Sequence, residues 1–259
     1  MELTLEEVLK GKATRIKDKD YFPTAAYVEP FIERMSKYTS DFRIQAKLPD
    51  QITKTSNGDI NYDDITYNRV WVQAVMPESY RFDNHDEVVG MVYGLDCRKP
   101  IVKLYRGGLN RACTNLCVFD PSFLHVQEIE AEKGFDYKPI RQMMEQTCDL
   151  KAWLNKLHNT PFDTSYVSIN EALGEWIRNS ISASYDSGFG KVKIGATNVI
   201  DAYKDLFEKK DSPYYVGEGN PTSMFNVYNA FTQQITDDKR DIMNKVEKTL
   251  LIKDILGSI

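Results

Sequence analysis

The sequence predicts an α+β fold: a mostly antiparallel sheet in the N-terminal half, packed by helices from the C-terminal half. Three observations lead there. From residue 41 to about 130, apolar residues alternate with polar ones at the period of half-buried strands. The connections between these segments are short, which favours antiparallel neighbours. Beyond Lys138 the apolar spacing becomes helical and stays so, and strands first with helices afterwards is the α+β order rather than an alternating βα one. With 259 residues, 42% of them hydrophobic and 27% charged, the chain reads as one globular domain, 1–259, whose core needs no staples.

Taken in order, 1–40 is expected to hold N-terminal helices. Thr4 followed by Glu7 fits a capping box ahead of Leu5, Val8 and Leu9. A second helix is expected over 28–37, with Pro30 in its first turn and Phe31, Ile32 and Met35 turned inward. The sheet is expected over 41–130. Phe42, Ile44 and Ala46 alternate with Arg43, Gln45 and Lys47. Asn57-Gly58 signals a hairpin turn, and 65–76, 88–95, 101–106, 112–119 and 123–129 continue the strands. Gly107-Gly108 reads as a tight turn. The helical region, 138–259, is expected to hold helices over 140–157, from a Ser168/Glu171 capping box to 181, and over 198–207, 223–235 and 239–256, the last capped by Asp237 or Asp238. Ile242, Met243, Val246, Leu250 and Leu251 give that last helix an apolar face, for a core or for a subunit contact, with Lys245, Lys248 and Asp254 outside it. The stretches 184–193 and 209–221 read as surface loops.

Composition removes several function classes. Apolar runs fall far below the ~18 residues of a membrane helix, and Met1 is followed by Glu2, Glu6 and Glu7 rather than by a secretory leader. Four cysteines then read as reduced thiols of a cytosolic protein. The net charge of −5 speaks against a general duplex-DNA coat but leaves room for a local basic patch.

Such a patch lies at 97–119, CRKPIVKLYRGGLNRACTNLCVF, which contains Arg98, Lys99, Lys103, Arg106 and Arg111 and no acid. On a strand through 101–106, Lys103 and Tyr105 share one face and Val102 and Leu104 the other. Cations beside an aromatic suit single-stranded nucleic acid: Arg98, Lys99, Lys103, Arg106 and Arg111 would meet phosphates and Tyr105 a base. The plain structural alternative is a solvated strand edge kept from aggregating by its charges. Cys113 and Cys117 could meet on one strand face, with His125 as a conceivable third metal ligand, but the spacing is not that of a zinc site and buried thiols explain it equally. The run Asp83-Asn84-His85-Asp86-Glu87 reads as a solvated turn. His158 would close a helix, and Glu208-Lys209-Lys210 would end another. No phosphate loop, dinucleotide fingerprint or nucleophile elbow is present. An enzyme is therefore not the favoured reading, no cofactor or metal is assigned, and a metal-dependent nuclease stays as an alternative.

From Tyr93-Gly94 to Phe119, a strand, a small-residue turn, a second strand and then Arg111, Cys113 and Asn115 resemble the R-x-x-C-x-N-G core of the phage and plasmid proteins grouped as domain of unknown function 932. Met224 to Thr232, MFNVYNAFT, is similar to that family's later helix. Leu116 departs from the family's glycine, and Phe231 from a smaller residue. The resemblance implies a bacteriophage or mobile-element protein among DNA-metabolism genes, acting in the host cytoplasm, and carries no established chemistry. Asn115 and Asn229 have a structural reading as hydrogen-bond partners of nearby backbone. The sequence thus points to a non-enzymatic protein that binds single-stranded DNA as an annealing or recombination accessory. Modulation of a host protein is the rival, membrane association is not expected, and homo-oligomerisation is left open.

Overall fold

The computed structural model describes residues 4–10, 15–16, 19–20, 24–47, 56–58, 69–96, 99–111, 115–129, 134–236 and 242–257. Among them are eight α-helices and a six-stranded antiparallel sheet, so the fold is α+β. The sheet strands are β3 (Asp41–Lys47), β4 (Arg69–Val75), β5 (His85–Asp96), β6 (Lys99–Asn110), β7 (Leu116–Cys117) and β8 (Leu124–Glu128). They follow the order β3-β4-β5-β6-β7, with β8 also paired to β6. A two-residue ribbon, β1 (Arg15–Ile16) with β2 (Lys19–Asp20), precedes them. The chain divides into two compact units, one of residues 1–81, 86–106 and 122–146, the other of 82–85, 107–121 and 147–259.

In the first unit, α1 (Leu5–Lys10), α2 (Ala25–Met35) and α3 (Lys138–Glu145) cover one sheet face. Register explains which residues they meet. Ile44 lies opposite Val72 and Val72 opposite Met91, and these join Val102 and Leu104 beneath Tyr27, Val28, Phe31, Met35, Ile140 and Met143 in one apolar core. The expected capping box is present: Thr4 N donates to Glu7 Oε2 at 2.7 Å, and Glu7 N donates to Thr4 Oγ1 at 3.3 Å. Helix α2 begins three residues earlier than expected, because Ala25 and Ala26 extend it and the Thr24 carbonyl accepts from Tyr27 and Val28. Pro30 consequently lies inside the helix rather than in its first turn.

The second unit gathers α4 (Leu150–Asn159), α5 (Tyr166–Ser182), α6 (Ala196–Phe207), α7 (Met224–Thr236) and α8 (Lys245–Leu256), with α7 and α8 against β7. Short pairs, β9 (Pro161–Phe162) with β12 (Thr222–Ser223) and β10 (Tyr185–Asp186) with β11 (Lys191–Val192), tie its loops. Four expectations change here. The single helix over 140–157 is two helices, because Asp149 caps α4 by accepting from Ala152 N at 3.0 Å. Helix α5 starts a turn before Ser168, with Ser165 as its cap and Asp163 bonded to Ser168 Oγ at 2.7 Å. Helix α6 likewise begins at Ala196, after Gly195. Helix α8 is buried nearly all round: Lys245 and Lys248, expected outside, are 8% and 7% exposed, so its apolar stripe serves the interior. Its expected beginning at 239 and its Asp237 or Asp238 cap lie outside the described residues, as do the strands flanking Asn57-Gly58.

Gly107-Gly108 is not a turn. Strand β6 runs straight through it. A Cβ on Gly107 would stand 2.2 Å from the Cys117 carbonyl oxygen, and one on Gly108 would stand 3.0 Å from Leu150 Cδ1. The glycines therefore mark a close backbone approach inside a strand.

Candidate nucleic-acid interface

The basic strand does not form an outward cradle. Lys103 and Tyr105 share a face, opposite Val102 and Leu104 as expected, but both are fully buried. The Tyr105 ring lies across Gly90, where a Cβ would come within 2.0 Å of Cζ. Its hydroxyl accepts from Trp71 Nε1 and from Gln73 Nε2, the latter at 2.8 Å, and burial pushes its pKa well up. No ring face is left for a base.

Arg106, 4% exposed, is a structural clamp. Its Nε donates to Glu87 Oε1 at 2.8 Å and its Nη2 lies 2.6 Å from the same oxygen. Its Nη1 donates to the carbonyls of Met143 and Gln146, the latter at 2.9 Å, and so caps the C-terminal end of α3. Burial raises the Glu87 pKa and Arg106 pulls it back. Lys99 opens β6, Arg98 lies outside the described residues, and only Arg111 has a described exposed side chain, its backbone N–H donating to Asn84 O at 2.8 Å. Burial and the Glu87 carboxylate thus overturn the outward placement of Lys103, Tyr105 and Arg106.

The run 83–87 is a solvated turn only at Asp83 and Asn84, which are exposed and closed by the Phe82–His85 bridge. His85, Asp86 and Glu87 open β5 and are buried. Asp86 accepts from Arg81 Nε at 2.8 Å. Asp83 alone adopts a left-handed conformation, φ +49°, and faces His158 Nε2 at 3.8 Å, while the His158 ring stacks on Phe225 at 3.8 Å. Among the described residues no three His, Cys, Asp or Glu side chains converge to hold a metal ion. Cys113 lies outside them, and Cys117 donates its thiol to Gly108 O at 3.3 Å.

Exposed cations do meet aromatics elsewhere in the first unit. The end of α2 and the two residues past its cap supply Arg34, Lys37 and Tyr38. The segment entering α3 and its first turn supply Phe135, Asp136, Tyr137, Lys138, Ile140 and Arg141. Together they line a cleft of about 490 Å³. Its wall is built rigidly. Tyr137 donates its hydroxyl to Tyr27 O at 2.8 Å and takes the edge of Phe135 at 4.8 Å. The Arg34 guanidinium lies 4.4 Å from the Tyr137 ring centroid and donates to Pro30 O at 3.0 Å. Burial raises the Tyr137 pKa, with Arg34 opposing. Asp136 accepts from Lys138 N at 2.9 Å, capping the approach to α3. Arg141 Nε donates to Glu145 at 2.7 Å. Among the described residues, Lys37 and Lys138 pair with no carboxylate.

Sequence reasoning missed this cleft because its cations are two pairs, 34/37 and 138/141, about a hundred positions apart, each unremarkable by itself. The available signal was Lys138 and Arg141 at the start of α3, three residues apart and so on one helix face, with Arg34 and Lys37 closely spaced around the end of α2. No family model, curated protein or solved structure matches this chain.

In the second unit Asn115 Nδ2 donates to Asn229 O at 3.1 Å and to Tyr214 Oη at 3.0 Å, a side-chain-to-backbone link of the kind expected for Asn115.

Proposed function

We propose that this protein binds single-stranded nucleic acid through the Arg34–Tyr137 cleft, as a non-enzymatic annealing or recombination accessory in the DNA metabolism of a bacteriophage or mobile element. The observation that carries the reading is the combination of four exposed cations with three aromatic rings around one cavity, in a chain whose overall charge is negative. Cations supply phosphate contacts and the rings a stacking platform, the two components of strand binding without sequence readout. The local positive charge on an acidic protein favours attachment at one place rather than coating of the whole surface.

The test is fluorescence anisotropy of a labelled oligonucleotide at a series of salt concentrations. Binding should weaken with salt, and Lys37→Ala with Lys138→Ala should flatten the dependence by about 1.4 in log–log slope, two phosphate contacts at ~0.7 each. The loss should be similar for unrelated sequences. Absence of binding at low salt, or an unchanged slope in the double variant, refutes the assignment. Retention of one stoichiometric host protein by this chain, with no nucleic acid, would instead favour the host-modulator reading.

A further inference from the structure

We infer that the cleft is a pocket for one nucleotide unit, so that a free 5′-mononucleotide is itself a ligand. The inference rests on the nucleic-acid reading above and gives it a specific occupant. A volume of about 490 Å³ falls within the ~300–1,000 Å³ of small-molecule sites, whereas a surface that only tracks a backbone needs no concave pocket. Two surfaces in it are of different kinds. Tyr137 is already engaged on one face by Arg34, at its edge by Phe135 and at its hydroxyl by Tyr27, so it holds the wall and positions Arg34. Tyr38 is 40% exposed and stacks on no other ring among the described residues, so it is the ring offered to a base.

The charges fall beside that ring. Arg141 lines the same cavity as Tyr38. Its Nε is held by Glu145, which leaves the terminal nitrogens of the fork to face a phosphate. Lys37 adjoins Tyr38 in sequence and Lys138 lines the same cavity. A planar aromatic group carrying a phosphate satisfies both features. Inorganic phosphate satisfies only the cations, and a duplex, with its bases stacked on one another, only the same cations.

The experiment uses the full chain with a labelled oligonucleotide bound at low salt, displaced in parallel by deoxyadenosine 5′-monophosphate and by inorganic phosphate. The nucleotide should displace at a concentration at least ~5-fold below that of phosphate, the advantage one stacked base confers. Tyr38→Ala should erase that ratio, and Tyr38→Phe should keep it, since the ring and not the hydroxyl is used. Equal potency of nucleotide and phosphate on wild type, or a Tyr38→Phe variant as impaired as Tyr38→Ala, overturns the pocket. If the oligonucleotide binds with the salt dependence above while the nucleotide has no advantage, only the pocket falls. If the oligonucleotide does not bind, the nucleic-acid reading falls as well.

Discussion

Replacing Arg106 by methionine isolates what a buried guanidinium does in this fold. Methionine keeps most of the apolar stem but removes every donor to Glu87, Met143 and Gln146. The Glu87 carboxylate, only 5% exposed, is then stranded. Breaking one partner of such a pair costs ~3–5 kcal/mol, most of it the penalty of the charge left behind. At ~2–4 °C per kcal/mol for a chain of this size, the melting temperature should fall by ~6–20 °C. The pH dependence carries the sign. Glu87 is already raised above its ordinary value by burial, and without Arg106 it rises further. The folded state then holds a proton the unfolded chain has released. Stability is therefore fully present below the unfolded carboxyl pKa of ~4.3 and is lost as pH rises through the folded value. Urea titrations followed by circular dichroism between pH 4.5 and 8 should show Arg106→Met closest to wild type at the acid end. Arg106→Met with Glu87→Leu, which removes the stranded charge, should recover more than half of the loss at pH 7. A single variant within ~1 kcal/mol of wild type at pH 7, against the range above, or a double variant no more stable than the single, would refute the reasoning.

Other consequences are as direct. Gly107→Ala places a Cβ 2.2 Å from the Cys117 carbonyl and should cost upwards of ~1–3 kcal/mol by denaturant titration, because the neighbour is backbone and cannot rotate away. Tyr105→Phe removes the hydroxyl that accepts from Trp71 Nε1 and Gln73 Nε2 and should cost ~1–3 kcal/mol by denaturant titration; an unchanged midpoint would show that those two bonds do not stabilise the fold. Asn115→Asp removes the amide donor to Asn229 O and Tyr214 Oη and should lower the urea midpoint by ~1–3 kcal/mol equivalent, whereas a surface role would leave it unmoved.

Much of the architecture was legible because it is written in local periodicity. The alternation at Phe42, Ile44 and Ala46 and the Thr4/Glu7 box each required only neighbours a few residues away, and each appears where expected. Two of the helix boundaries that moved did so through caps, Asp149 in the middle of the expected 140–157 helix for α4 and Ser165 with Asp163 ahead of Ser168 for α5. The parity of Lys103 and Tyr105 was also correct. Their exposure was not legible, since nothing near residue 105 announces that Trp71 and Gln73, more than thirty positions earlier, take its hydroxyl. Nor could the absence of acids at 97–119 reveal that Glu87, on the preceding strand, neutralises Arg106. The cleft was hidden for the same reason in reverse, its cations being assembled from α2 and α3 by the fold.

The second unit has a consequence for how the chain is made. Asn115 is fastened to Asn229, 114 residues later, and Val118 N donates to Thr249 Oγ1 across 131 residues. Contacts of such long sequence separation must close large loops before they return any stabilisation, and they slow folding. During synthesis β7 therefore leaves the ribosome well ahead of the helices that cover it, and Leu116 with the neighbouring Val118 waits for α7 and α8 to emerge. Premature termination before residue 245 would release a nascent chain that lacks α8, one of the two helices packed on that strand, a natural target for chaperones and proteases.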